Sequence, residues 1–232
     1  MKRRFPLWGG VLDLVFPPCC GVCGAEGGFL CRMCERGLQR AEGPRCPRCW
    51  ERGSATPCAD CAGSPDALDG ARSVYVFEGG ARTLVHQFKY RFLHALARPM
   101  GELMAEYLAQ NPLPVDLLVP VPLHRRRRRE RGFNQAELLC RVIGEHSGIE
   151  IDRRSLRRSR NTPHQIRVSD RTQRAANVYR AFACDGDLEG RRVLLVDDVF
   201  TSGATLRACA ASLRTAGGAS VWALTFARAD SR

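Results

Sequence analysis

Apolar and polar positions divide the 232-residue chain into three stretches. In residues 1–17, Leu7, Val11, Leu14 and Val15 recur at helical spacing, which predicts a short amphipathic helix. Residues 18–64 hold few aliphatic side chains among many Cys, Gly and Pro, too few for an apolar core of their own. Residues 70–232 alternate strand-like and helix-like segments, the pattern of an α/β domain. Within it, 71–77 alternates as a strand and 82–110 reads as helix, broken near Tyr90–Phe92 or at Pro99. The segment 116–119 is a short buried strand ending at Pro120, and 134–145 is an amphipathic helix. The polar, Arg-rich stretch 153–172 reads as a mobile loop. Residues 192–196 are continuously apolar after Arg192, as in a parallel strand buried on both faces. A helix over 204–215, closed by Gly217 and Gly218, and a strand over 220–226 complete the pattern.

Cysteine placement changes the reading of the middle stretch. Nine of the twelve cysteines fall within residues 19–61, eight of them as C-x-x-C pairs: Cys20/Cys23, Cys31/Cys34, Cys46/Cys49 and Cys58/Cys61. The apolar run at the start is interrupted by Pro6 and Asp13 and has no small-residue cleavage site, so it does not read as an export signal. No run of 18 apolar residues predicts a membrane span. A cytoplasmic chain is the expectation, and there paired cysteines favour metal over disulfides. Two thiolates three positions apart in a tight turn point the same way, and two such knuckles complete a tetrahedral four-cysteine zinc site. Two structural zinc ions are therefore expected. The simplest pairing is sequential, an interleaved pairing stays open, and Cys19 could replace Cys20. Cys140, Cys184 and Cys209 read as small buried hydrophobes.

The charge of +12 is uneven. Residues 120–180 carry sixteen Arg against six acids, whereas residues 1–70 are close to neutral. Such a stretch suits an anionic partner, phosphate groups or a nucleic-acid backbone, or else a solvated surface in a chain with only two lysines.

The most specific chemistry lies in Val193-Leu-Leu-Val-Asp-Asp-Val-Phe-Thr-Ser-Gly-Ala-Thr205. A buried strand ends in Asp197 and Asp198, and after Val199 and Phe200 a hydroxyl-rich loop, Thr201-Ser202-Gly203-Ala204-Thr205, opens a helix. Loop amides and a helix N-terminus suit a phosphate, Gly203 permits close backbone approach, and paired carboxylates accept from vicinal sugar hydroxyls. The run reads as a site for one ribose and one phosphate. A Walker B reading lacks its partner, because the chain has no G-x-x-x-x-G-K-[ST]. A strand-turn-helix capped by Ser202 leaves the two acids unexplained.

The run resembles the signature of type I phosphoribosyltransferases that binds 5-phosphoribosyl-1-pyrophosphate (PRPP). With the cysteine pairs, Phe88-Lys89-Tyr90, Val119-Pro-Val-Pro-Leu-His124, Arg131-Gly-Phe-Asn-Gln135, Arg157, Thr162, Gln165, Arg171 and Asn177-Val178, nearly the whole chain resembles the ComF family of competence proteins. The resemblance implies a twisted parallel sheet with flanking helices behind a small zinc-ribbon module. It implies PRPP bound with Mg²⁺ and a link to DNA uptake in natural transformation. By the same resemblance Asp197 and Asp198 meet the ribose hydroxyls and Thr201 to Thr205 the 5′-phosphate. Val121 and Pro122 lie in the pyrophosphate loop near Lys89, and residues 157–171 close over the ligand. If the chain is catalytic, Lys89, Arg157 and Arg171 stabilise the departing pyrophosphate; the acceptor is not legible. The other classes are an accessory that touches single-stranded DNA through the run from Arg125 to Arg129 and the Arg-rich loop, and a scaffold that docks a DNA-uptake helicase through its zinc module.

Overall fold

The computed structural model describes residues 17–53, 55–63, 67–90, 93–158 and 181–230. Of the helix expected over 1–17, residues 1–16 lie outside them, as do residues 159–171, Arg171 included, of the expected ligand-closing segment 157–171.

Five strands form one all-parallel sheet in the order β1-β7-β6-β2-β3: β1 (Gly70–Val76), β2 (Leu117–Pro120), β3 (Glu150–Ile151), β6 (Arg192–Phe200) and β7 (Ser220–Arg228). Two short strands, β4 (Leu156–Arg158) and β5 (Phe182–Cys184), pair as an antiparallel ribbon. Among the described residues the α-helices are α1 (Arg32–Arg36), α2 (Ala59–Ala62), α3 (Gly79–Tyr90), α4 (Ala97–Gln110), α5 (Arg125–Arg131), α6 (Gln135–Ser147) and α7 (Ala204–Thr215).

The sheet is buried on both faces, and the parity of β6 sorts the two cores. Leu194 and Val196 join Leu118, Leu224 and Phe226 beneath α3, α4 and α6. Val193 and Leu195 join Leu117, Val119, Val221 and Ala223 beneath α7, the β4–β5 ribbon and three cysteines of the middle stretch. A run without polar alternation is what this two-sided burial demands. Where α4 crosses α6, a Cβ on Gly101 would stand 2.6 Å from Cβ of Val142, so only glycine admits the approach.

The 82–110 segment breaks after Tyr90, the first of the two places expected; Pro99 does not break it, because it falls in the first turn of α4, where its missing N–H has no helical acceptor to lose. One expectation is corrected. Part of the expected loop 153–172 is strand: β4 pairs with β5, Leu156 is buried, and the Arg158 guanidinium lies 5.3 Å from the centre of the Phe182 ring. Three residues are too few to show a period in sequence.

The cysteine-rich stretch lies along the outer edge of β1. The Ala41 N–H donates to Val74 O (2.9 Å), the Val76 N–H to Gln39 O (2.8 Å), and the Trp50 indole N–H to Ser73 O (3.1 Å). An edge strand is thereby covered by the chain's own backbone.

Candidate functional site

Strands β2 and β6 are neighbours, but the chain leaves them in opposite directions. β2 leads outward to β3, while β6 leads through α7 to β7 on its other side. Between such strands, at their carboxyl ends, an open α/β sheet forms its ligand crevice. The residues expected to bind ligand converge there. Pro120 pairs with Val196, and the Val121 N–H extends the ladder to Val196 O (3.0 Å). Asn134 holds Val121 in place, donating to its carbonyl (3.1 Å) while its Oδ1 accepts from the Ala136 N–H to cap α6. Pro122 follows at the rim, half-buried.

Strand β6 does not stop at the carboxylates but runs on to Phe200, so Asp197 and Asp198 are strand residues with opposite orientations. Asp198 is buried at 4% exposure, and Lys89, from the last turn of α3, meets it at 2.7 Å. Asp197 accepts the Asp198 N–H (2.8 Å). Burial, and then the neighbouring Asp198 carboxylate, push its pKa up to about 7 despite Lys89 nearby. Two acids this close cannot share one cation equally. Val199 packs toward the first core, and the exposed Thr201 and Ser202 lead into Gly203.

Gly203 is the N-cap of α7 at φ 75°, with no capping side chain. Among the described residues Ser202 Oγ accepts from the Ala204 N–H, at a long 3.4 Å, and not from the second or third amide of the helix, so it is not the cap that a purely structural turn would place there. A Cβ on Gly203 would lie 2.5 Å from the Phe200 ring, so positive φ and close packing both demand glycine. Half-buried Ala204 and Thr205 form the first helical turn.

Arg157 lies on β4, exposed and ion-paired with Asp185. Among the described residues no hydrogen bond or ion pair joins it to the acids or to the hydroxyl-rich loop. His124 caps α5, its Nδ1 accepting from the Arg126 N–H at 3.2 Å. Arg126 to Arg129 project from α5 as exposed residues, with Arg126 paired to Glu130 (2.9 Å) and Arg128 to Glu137 (3.5 Å).

The C-x-x-C pairs assemble sequentially: Cys20, Cys23, Cys31 and Cys34 form one cluster, and Cys46, Cys49, Cys58 and Cys61 the other, with ligand atoms within 4.8 Å of one another. Cys19 stays outside, its thiol donating to Pro17 O. Sulfurs on a tetrahedral zinc lie about 3.8 Å apart. Cys23 and Cys31 stand at 3.8 Å and Cys49 and Cys58 at 3.6 Å, so the donor set fits zinc. Backbone amides point at the sulfurs, from Cys31 to Cys20 and from Cys58 to Cys46. Burial opposes ionisation of Cys20 and Cys46, but these amides and those within each knuckle prevail and bring both thiols down to about 6. Contacts with Cys23 and Cys31 push Cys34 up to about 12, because four thiolates cannot crowd together without a cation.

Three residues behind the loop, Glu51, Arg207 and Arg228, carry no sequence signal of their role. In a chain where arginine is the default cation, a positioning arginine looks like any other.

A parallel sheet with paired acids and a glycine-turned hydroxyl loop at its switch point defines a protein of the phosphoribosyltransferase class, and the phosphoribosyl transferase domain model matches residues 135–232. The DNA utilization protein YhgH of Salmonella typhi is 34% identical over 205 residues, covering 84% of this chain and 89% of that protein. Competence protein F of Haemophilus influenzae is 28% identical over 200 residues (81% and 85%), and competence protein ComFC of Bacillus subtilis 28% over 211 (86% and 84%). The chain belongs to the ComF family. Among the described residues, no helix is long and apolar enough to cross a membrane.

Proposed function

We propose that the chain binds PRPP with Mg²⁺ at the carboxyl ends of β2 and β6, and that it serves DNA uptake in natural transformation. The observation that carries this reading is the junction of Asp197, Asp198 and the Gly203 turn at one switch point. Asp197 and Asp198 accept the two ribose hydroxyls. The amides and hydroxyls from Thr201 to Thr205 hold the 5′-phosphate, and Val121 and Pro122 line the pyrophosphate. Lys89, already at Asp198, supplies positive charge beside both groups. Mg²⁺, when bound with the ligand, adds neutralising charge at the pyrophosphate. If the chain transfers phosphoribosyl, Lys89, Arg157 and Arg171 stabilise the leaving group at the anomeric carbon. Residues 18–64 are a zinc-bearing module and residues 70–232 the ligand-binding domain; the cytoplasm is their compartment.

Calorimetric titration of Mg·PRPP tests the reading. Wild type should bind, and Asp197→Ala/Asp198→Ala should show no heat of binding while keeping its far-UV spectrum. A folded, zinc-loaded wild type that takes up no PRPP overturns it.

Exposed Arg126 to Arg129 favour a second reading, in which α5, Arg125 included, and the Arg-rich loop contact single-stranded DNA during uptake. The affinity for an oligonucleotide should then fall with salt, by about 0.7 in log–log slope per neutralised phosphate. Replacing Arg126, Arg127 and Arg129 by Ala should flatten that slope by about 2. An unchanged slope would remove α5 from the interface. A helicase partner docked through the cysteine module is the scaffold form of the same role.

A further inference from the structure

The hydroxyl-rich loop is held from behind by two arginines; one also reaches Cys61 of the second cysteine cluster, and the other Glu51, two residues beyond Cys49. Arg228, at the end of β7, is 4% exposed, and its guanidinium lies 4.4 Å from the centre of the Phe200 ring. It donates to Phe200 O (3.2 Å) and to Thr201 O, and through its other nitrogen to the Glu51 carboxylate. Arg207, one turn into α7, donates to Ser202 O (2.7 Å) and reaches Cys61 Sγ at 4.0 Å. Three successive loop carbonyls, of Phe200, Thr201 and Ser202, are thus claimed by two guanidinium groups on one side.

In a planar trans peptide the N–H points away from the C=O of the preceding residue. Fixing those three carbonyls toward the arginines therefore turns the amides of Thr201, Ser202 and Gly203 the other way, toward the ligand crevice. The loop has no capping side chain to do this for it.

The far ends of both arginines are tied to the Cys46–Cys61 knuckles. Glu51 follows Cys49 by two residues, and its carbonyl accepts the Cys46 N–H (2.9 Å) across a turn that puts Trp50 at φ 61°. Trp50 O in turn accepts from buried Arg45, which forks onto Asp230 just beyond β7 (2.9 and 3.2 Å). Cys61 is itself a member of the cluster that fits a metal. Among the described residues no comparable contact runs from the Cys20–Cys34 cluster to the loop.

We propose that Arg207 and Arg228 are positioning residues for the phosphate loop, and that metal in the Cys46/Cys49/Cys58/Cys61 cluster fixes them, so that metal occupancy there is coupled to PRPP affinity. The proposal rests on the PRPP reading above. The second cluster is then a structural part of the ligand site, although it never touches the ligand.

The test is calorimetric affinity for Mg·PRPP in the full-length zinc-loaded protein, with zinc content and urea midpoint measured on each sample. Glu51→Gln and Arg207→Lys should weaken binding about 10-fold or more while both zinc ions and most of the fold are retained. Glu51→Gln removes the charge that orients Arg228, and Arg207→Lys keeps a cation but cannot bridge both partners. Arg192→Gln, an exposed arginine at the opposite end of β6, should bind as wild type does. Equal affinity in wild type, Glu51→Gln and Arg207→Lys overturns the coupling and leaves the PRPP reading intact. Absence of binding in wild type overturns both. Affinity that falls only in step with the urea midpoint, equally in Arg192→Gln, reduces the arginines to general stability and overturns it as well.

Discussion

Stripping metal from the two cysteine clusters is expected to unfold the backbone around residues 17–63 and to lower overall stability by several kcal/mol. Structural zinc contributes roughly 10–16 kcal/mol of apparent binding energy to small zinc-dependent folds, because the site does not exist before the chain folds. This stretch has little else, with Leu38 and Ala41 its only buried aliphatic side chains among the described residues. The two clusters should not be equivalent. Cys46 and Cys61 are buried at 0% and 2% exposure and pack with the sheet, whereas Cys23 is exposed. Cys46→Ser should therefore cost more than Cys23→Ser. It leaves an unpaired polar group in the second core as well as three thiolates without a complete partner. A metallochromic dye follows zinc release while circular dichroism follows the fold. A metal-free protein with an unchanged urea midpoint would show that the knuckles close without an ion.

Asp197→Asn should move stability and ligand binding in opposite directions. Burial and Asp198 raise the Asp197 carboxyl to about 7, from an ordinary value of 3.8. Between those limits the folded state holds a proton that the unfolded state has released. This contribution to stability is complete below pH 3.8, declines as pH rises through the window, and is gone above about 7. Asparagine is neutral throughout and still offers Oδ1 to the Asp198 N–H. At about pH 8 the variant should therefore be more stable than wild type, on the order of 1 kcal/mol or a few degrees in Tm, with the two converging near about pH 4. PRPP affinity should fall about 10- to 100-fold, the value of hydrogen bonds to a charged acceptor. Melting curves at about pH 4.5 and 8 decide the stability half; a variant less stable than wild type at the higher pH would show that the aspartate is not strained by its surroundings. The carboxylate pair is then a case of binding chemistry held at a cost to the fold.

Much of this is legible in sequence because the signals are local. The apolar run of β6, the helix of α7 and the C-x-x-C knuckles each declare themselves within a few residues, and the observed helix Ala204–Thr215 has the bounds its pattern predicts. Sequential pairing of the cysteines needs the structure, since spacing allows an interleaved set. So does the Lys89–Asp198 contact, whose partners lie on an early helix and a late strand. What escapes is non-local by nature. The β4–β5 ribbon joins two three-residue strands across a long intervening segment, and Arg228 matters through what it reaches. The helix Arg125–Arg131 shows in sequence as charge alone, because seven residues without an apolar position give a periodicity argument nothing to hold.

The place of β7 in the sheet bears on how the protein is made. β7 follows every other strand in sequence, yet sits between β1 and β6, pairing Gly70–Val76 on one side and Arg192–Phe200 on the other. A ribosome delivers β1 and the cysteine knuckles first, and the strand that joins them to the rest of the sheet last. Until then the early strand has no hydrogen-bonded neighbour in the sheet, and the second core is open along one side. Long-range pairing of this kind is slow and leaves sticky surface in view. Zinc bound early to the knuckles would give the nascent chain one folded body to carry through that wait.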